Sequence, residues 1–305
     1  ASFVYKHKQV TQYVPRDSLL MVMRDKFDYY ILSKAKAKVH THAEVQKVIP
    51  TDCGYEVQTS EGRSFKCSYV LGADGANSRV ARCMNLHKNK SMGIALQVEA
   101  SVSPEVLQSF HGRLLIGLGD LYGGYYWIFP KSGHLSVGLG TMHKYKDKQL
   151  VDKLACIMQN HHIKIDRFAY SAHPLPVYKY TPKSLQKDGV LLLGDSAGLV
   201  DPLTGEGIRH AIESAYLAAQ AIANRNILAY TQMVKKQIGN ELFYAKRMSN
   251  FLYRHQNMSF EGLIRNKLVF QDLIGIISHK LTYRKGIYKF PFYLLNFWQR
   301  IALDE

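Results

Sequence analysis

The sequence predicts an α/β protein in three parts: a lobe around a parallel sheet that is incomplete at its N-terminus, an inserted antiparallel β-sheet, and C-terminal helices. Three observations carry this. A βα texture occurs twice, over residues 18–88 and again from residue 189, as expected of a parallel sheet assembled from separated pieces. Between them, over residues 91–180, short alternating strands take over, and from residue 228 onward the pattern is helical. The expected boundaries are therefore 1–88 plus 181–227 for the discontinuous lobe, 89–180 for the sheet and 228–305 for the helices.

In chain order, SLLMVM at 18–23 and KVHTHAEVQKVI at 38–49 have strand composition. Asp25 is placed to cap a helix from Lys26 to about Lys38, where Phe27, Tyr30 and Ile31 recur at helical spacing. GYEVQTSEGRSFKC predicts a hairpin turning at Glu61-Gly62, and Tyr69 to Gly72 a buried strand ending in Gly-Ala-Asp-Gly. GIALQVEA, RLLIGLG, YYWIFP and HLSVGLGT supply the inserted sheet, followed by a helix near 147–160. The strand VLLL at 190–193 then leads through GDSAGLVDPLTGEGI into a small-residue helix, RHAIESAYLAAQAIA.

Composition narrows the function classes. A chain of 305 residues with 47% hydrophobic and 21% charged residues buries a large core and is neither disordered nor a disulfide mini-scaffold. Its net charge of +16 attracts anionic partners. No helix-turn-helix, zinc or RNP-type pattern accompanies that charge, so nucleic acid is not an expected partner. Cys53, Cys67, Cys83 and Cys156 lack CxxC or metal-ligand spacing and predict reduced thiols in a cytoplasmic protein, with no metal site. No signal-peptide pattern opens the chain, and no window approaches the run of about 18 apolar residues that spans a bilayer. The Lys/Tyr/Phe-rich tail from Tyr283 to Trp298 predicts peripheral contact with an anionic membrane surface, or equally a solvated helix packing its aromatics on the core.

The stretch VLLLGDSAGLVDPLTGEGI carries most of the functional information. A buried strand delivers Asp195 at its C-terminal end, the edge where open α/β sheets bind ligands, and a carboxylate there suits ribose or polyol hydroxyls. Pro202, Gly205 and Gly207 shape a turn with little bulk before a helix, leaving backbone N–H groups near Gly207 and Ile208 free to face an anionic ligand.

With these residues in view, the chain resembles the geranylgeranyl reductase family within the wider FAD-dependent fold typified by p-hydroxybenzoate hydroxylase. VLGADGANSRVAR, containing Asp74 and Gly75, looks like that family's Asp-Gly segment, and YYWIFPKSGHLSVGLG is similar to its YxWxFPK…VGxG hairpin. The resemblance implies that Asp195 meets the ribityl chain of FAD and that Gly207 and Ile208 donate backbone hydrogen bonds to its ring. By the same alignment Arg24, in the RDKFD pattern, reaches FAD, and Val48 meets the adenine through its backbone. It further implies reduction of isolated C=C bonds in a prenyl lipid by reduced FAD, with NADPH or ferredoxin as external reductant. Tyr125, Trp127 and Phe129 would then line the isoprenoid tunnel, with Lys131 near a phosphate head group. No catalytic proton donor is identified. The family opens with a GxGxxG unit that residues 1–18 do not contain, so an omitted or separately supplied N-terminal unit is expected. A monooxygenase or halogenase of the same fold, and a non-catalytic lipid-binding relative, stay open as alternatives.

Overall fold

The computed structural model describes residues 1–15, 19–86, 90–165, 169–179 and 184–289. The chain opens with two strands, β1 (Ser2–Tyr5) and β2 (Lys8–Thr11). Helix α1 (Arg24–Lys34) follows, then an antiparallel meander of β3 (Val45–Thr51), β4 (Gly54–Thr59) and β5 (Ser64–Cys67), and the short strand β6 (Val70–Gly72) leading to helix α2 (Arg79–Cys83).

The large sheet is built from β7 (Ser91–Ala100), β8 (Leu115–Leu118), β9 (Gly124–Lys131), β10 (His134–Thr141) and β11 (Ser171–Val177), with α3 (Pro104–Ser109) and α4 (Asp147–Asn160) between strands. Its order is β11-β7-β10-β9-β8-β1-β2. All of its pairings are antiparallel except that of β1 with β8. The small strands β12 (Gln186–Lys187) and β13 (Val190–Leu192) return the chain to β6, which β13 pairs in parallel. Helix α5 (Ile208–Ala223) follows. Then α6 (Tyr230–Val234) runs through a π-helical turn into α7 (Asn240–Arg254), with α8 (Gln256–Arg265) and α9 (Lys267–Ile277) beyond.

Alternation along β9 decides which residues face which side. Tyr126 and Ile128 point into a core shared with α4, against Leu150 and Leu154, because residues two apart share a strand face. Tyr125, Trp127 and Phe129 therefore line the opposite face, with Tyr125 and Trp127 ring centroids 6.0 Å apart and Trp127 and Phe129 6.3 Å apart. Trp127 lies flat over its cross-strand partner Gly138, where a Cβ would come within 2.2 Å of the indole. A second core joins β13 to α5 and α6 through Leu192, Ala218 and Tyr230, and a third seats Phe3 of β1 against Phe270 of α9 at 5.3 Å between centroids.

The α/β class, the parallel β6–β13 pair, the antiparallel insert and the C-terminal helices agree with the sequence-based expectation. Several elements depart from it. Residues 2–11, expected in the first lobe, join the large sheet instead, β1 pairing with the edge of β8 in parallel and with β2 in antiparallel fashion. Residues 19–23 form no strand: no neighbouring strand pairs them, and Leu19, Leu20 and Met21 pack on a cavity instead. Helix α1 starts at Arg24 with Met23 at its N-cap, so Asp25 sits in its first turn rather than capping it. The expected strand at 38–49 begins only at Val45, and Leu71, expected buried within β6, is 45% exposed.

Candidate functional site

Strand β13 feeds a 3-10 turn, Gly194–Ala197, that is pinned from several sides. The buried Ser196 hydroxyl accepts from the Leu193 amide at 3.0 Å and contacts the Gly72 carbonyl at the end of β6, while the Gly194 amide donates to Ser214 of α5 at 2.9 Å. This pinning presents Asp195. Its carboxylate is partly buried and has no hydrogen-bond partner among the described residues. Burial raises its pKa above the ordinary value, and the nearby Arg24 and Lys90 only partly offset that.

Two further elements converge here. Lys90, half-buried, donates to the carbonyl oxygens of Ala76 at 3.0 Å and Asp195 at 3.3 Å, tying the Asp-Gly segment to the 3-10 turn. Burial lowers its pKa against the opposing pull of Asp74 and Asp195. Asp74 itself caps α2, accepting from the amides of Arg79 at 2.6 Å and Val80 at 3.0 Å, while Gly75 takes a left-handed φ of 77°. Arg24 lies within electrostatic range of Asp195 and holds Asp28 in an ion pair at 2.8 Å.

The loop after the turn is organised by a second aspartate. Asp201 is fully buried; its Oδ1 accepts from the amides of Leu203 at 2.7 Å and Thr204 at 3.0 Å, and its Oδ2 from the Tyr283 hydroxyl at 2.8 Å. That lock fixes Pro202 and Gly205, which takes a φ of 73°, and brings Gly207 to the start of α5. No side chain caps α5, so its first amides, including that of Ile208, lack intrahelical partners. A Cβ on Gly207 would stand 2.9 Å from Asp195 Oδ1, so only glycine lets the helix start approach the carboxylate this closely.

On the other side of this loop lies an apolar cavity of about 530 Å³, within the usual range for small-molecule pockets. Tyr125 and Phe129 of β9 line it with Leu19, Ile116, Ile208 and Ile274, and Thr204, Glu206 and His279 supply its polar lining. Trp127 lines a smaller adjoining slot of about 80 Å³ with Tyr125 and Gly205. The Tyr125 hydroxyl, buried, donates to the Thr204 carbonyl, and burial beside Asp201 and Glu206 raises its pKa.

Of the sequence-predicted residues, Arg24, Asp74, Asp195, Gly205, Gly207 and Ile208 thus gather around one loop, with Tyr125 and Phe129 beyond it. Two stand apart. Val48 is buried in β3 opposite Val57. Lys131 pairs with Glu99 at 3.0 Å, an oxygen pair that also meets His134, and does not reach the cavity. Lys90, Tyr253 and the Glu206–His279 pair at 3.0 Å were missed. Glu206 lies inside the singled-out motif, but Lys90 and His279 have no sequence signal, because the fold brings them in from 105 and 73 residues away.

The chain belongs to the FAD binding domain family, which matches it over residues 7–226. Proteins similar to it include geranylgeranyl diphosphate reductases and a digeranylgeranylglycerophospholipid reductase. It is 38% identical over 170 residues to the chloroplastic geranylgeranyl diphosphate reductase of Nicotiana tabacum, covering 53% of this chain and 35% of that protein. It is 29% identical over 231 residues to digeranylgeranylglycerophospholipid reductase 2 of Methanothermobacter thermautotrophicus, covering 70% of this chain and 58% of that one. The chain thus spans about a third to somewhat over half of these relatives. A geranylgeranyl bacteriochlorophyll reductase-like protein from Thermoplasma acidophilum shares the fold, with a TM-score of 0.66 at 24% identity over 87% of this chain and 70% of that one.

The residues present fit FAD. Asp195 offers an unpaired acceptor, Gly207 keeps clear the space a Cβ would fill beside it, and the uncapped start of α5 presents donors.

Proposed function

We propose that this chain contributes the flavin-ring and substrate side of an FAD-dependent reductase that saturates C=C bonds of a prenyl chain. The observation that carries the reading is the meeting of two chemistries about residues 204–208: the Asp195 carboxylate beside the uncapped start of α5 on one side and an apolar, aromatic-walled cavity on the other. FAD in its reduced state supplies the hydride for such a reduction. Asp195 would accept from ribityl hydroxyls of FAD, the amides of Gly207 and Ile208 would donate to its ring, and Arg24 and Lys90 would balance its negative charge. Asp74 and Gly75 shape the loop beneath it, and Val48 backs the adenine side through its main chain. Tyr125, Trp127 and Phe129 orient the isoprenoid, while the surrounding aliphatic side chains exclude water. In this reading the cofactor lobe comprises residues 12–88 and 181–227, the first eleven residues belonging to the large sheet.

Anaerobic incubation with FAD, dithionite and a geranylgeranyl lipid tests the reading. The expected product gains two hydrogens per reduced bond by mass spectrometry; oxygenation or halogenation of an aromatic substrate in air, with the prenyl lipid untouched, sinks it. NADPH and ferredoxin are compared as natural reductants in the same assay. Peripheral membrane contact belongs to the same proposal. Among the described residues no helix is long and apolar enough to cross a bilayer. Tyr283, expected at a membrane surface, is instead 5% exposed and bound to Asp201, whereas Tyr288 is exposed with Arg284 over its ring; residues 290–298 of the expected patch lie outside the described residues. Flotation with anionic vesicles that leaves the protein at the bottom of the gradient removes the membrane contact.

A further inference from the structure

Helix α7 and the residues just after β10 flank a second, open cleft of about 370 Å³, lined by lysine and arginine side chains that the apolar cavity lacks. His143, Lys246 and Arg254 line it together with the amide of Asn250 and Ser249, and no aspartate or glutamate does. Among the described residues neither Lys246 nor Arg254 forms an ion pair. Lys246 is half-buried, and only burial acts on its titration, lowering its pKa. A partly buried lysine without a carboxylate is unfavourable in the folded chain, and an incoming anion relieves that cost.

The position of the cavity identifies what the anion is attached to. Tyr253 forms a wall of this cavity, of the aromatic slot holding Trp127 and of the apolar cavity holding Phe129. Gly123 and Met142 are shared between the basic cavity and the slot. A basic cleft, an aromatic slot and an apolar cavity therefore adjoin one another across shared walls, an order of chemistries that suits an amphiphile with an anionic head and a long apolar tail. Lys131, the cation expected at a phosphate from the sequence, is already neutralised by Glu99.

We infer that Lys246, Arg254 and His143 bind the phosphate or diphosphate head of the apolar-chain substrate, with Ser249 and Asn250 as neutral partners. The inference rests on the prenyl-chain reading above. Its chemistry, a phosphate-ester oxyanion, has two sources: a single-chain prenyl diphosphate and an isoprenoid glycerol phosphate.

Calorimetric titration of the purified chain with geranylgeranyl diphosphate, digeranylgeranylglyceryl phosphate, geranylgeraniol and inorganic pyrophosphate tests it. Lys246→Gln and Arg254→Gln are each expected to weaken the phosphate esters about tenfold, as loss of a charge-assisted hydrogen bond does, and to leave geranylgeraniol and FAD affinity unchanged. Added salt is expected to weaken the esters and not the alcohol in the wild-type chain, a readout independent of any variant's folding. The tighter of the two esters names the source. Unchanged ester affinity in both variants, or an equal loss for the alcohol, overturns the inference. Geranylgeraniol binding as tightly as its diphosphate overturns the anion site and keeps the prenyl reading. Lys246-dependent binding of pyrophosphate without binding of any prenyl compound overturns the prenyl reading and keeps the anion site.

Discussion

Asp195 and Asp201 stand six residues apart on one loop and do opposite work. Both carboxylates are held above their ordinary pKa by burial. Asp201 has both oxygens satisfied inside the protein, by two amides and the Tyr283 hydroxyl, and it sets the shape of the loop. Asp195 has no protein hydrogen-bond partner for either carboxylate oxygen among the described residues, and its backbone rather than its carboxylate meets Lys90. A buried polar group that is fully paired builds structure; one left unpaired at the edge of a groove is available to a ligand. Cations divide the same way, Lys131 being closed by Glu99 while Lys246 stays open.

The largest expected effect is on the closed side. Asp201→Ala strands two amides and a hydroxyl and is expected to cost about 3 kcal/mol in urea unfolding; a loss under about 1 kcal/mol would mean that Asp201 does not lock the loop. Tyr283→Phe removes one donor and is expected to cost about 1–3 kcal/mol by the same assay. On the open side the readout changes from stability to affinity. Asp195→Asn is expected to weaken FAD about tenfold by fluorescence titration, the value of a charge-assisted hydrogen bond, and Gly207→Ala to do the same by pressing on Oδ1.

The pH dependence of Asp195→Asn sharpens the contrast further. Because folding raises the Asp195 pKa, the folded chain holds that proton more tightly than the unfolded one, so Asp195 subtracts stability as pH rises through its folded pKa. The variant is expected to melt slightly higher than wild type at pH 7, with the gain vanishing below about pH 4, where both forms are protonated. A variant that melts lower at pH 7 breaks the distinction between the two aspartates. The smallest effect belongs to Lys131→Gln, expected within about 1 kcal/mol for a partly exposed pair and without effect on ligand binding.

Most of the groove was legible before the structure. Asp195, Gly205, Gly207 and Ile208 lie in one continuous stretch, and residues close in sequence at a strand-to-helix turn are close in space whatever surrounds them. The large sheet was equally legible, since period-two alternation names the two faces of each strand and thus places Tyr125, Trp127 and Phe129 together. Residues 2–11 and 19–23 were misplaced for the converse reason. A strand needs an edge to pair with, and which edge is free, here that of β8, is decided by the assembled sheet and not by the composition of the strand.

Local pattern was therefore sufficient for the α/β class, the antiparallel insert, the helices and the motif-borne half of the groove, because periodicity and turn chemistry act over a few residues. Tertiary structure alone decided which charges are open. Glu99 closes Lys131 from 32 residues away, Tyr283 closes Asp201 from 82, and Lys90 arrives at Asp195 from 105. Charge pairing depends on distance in space and on burial, and neither follows from the order of residues along the chain.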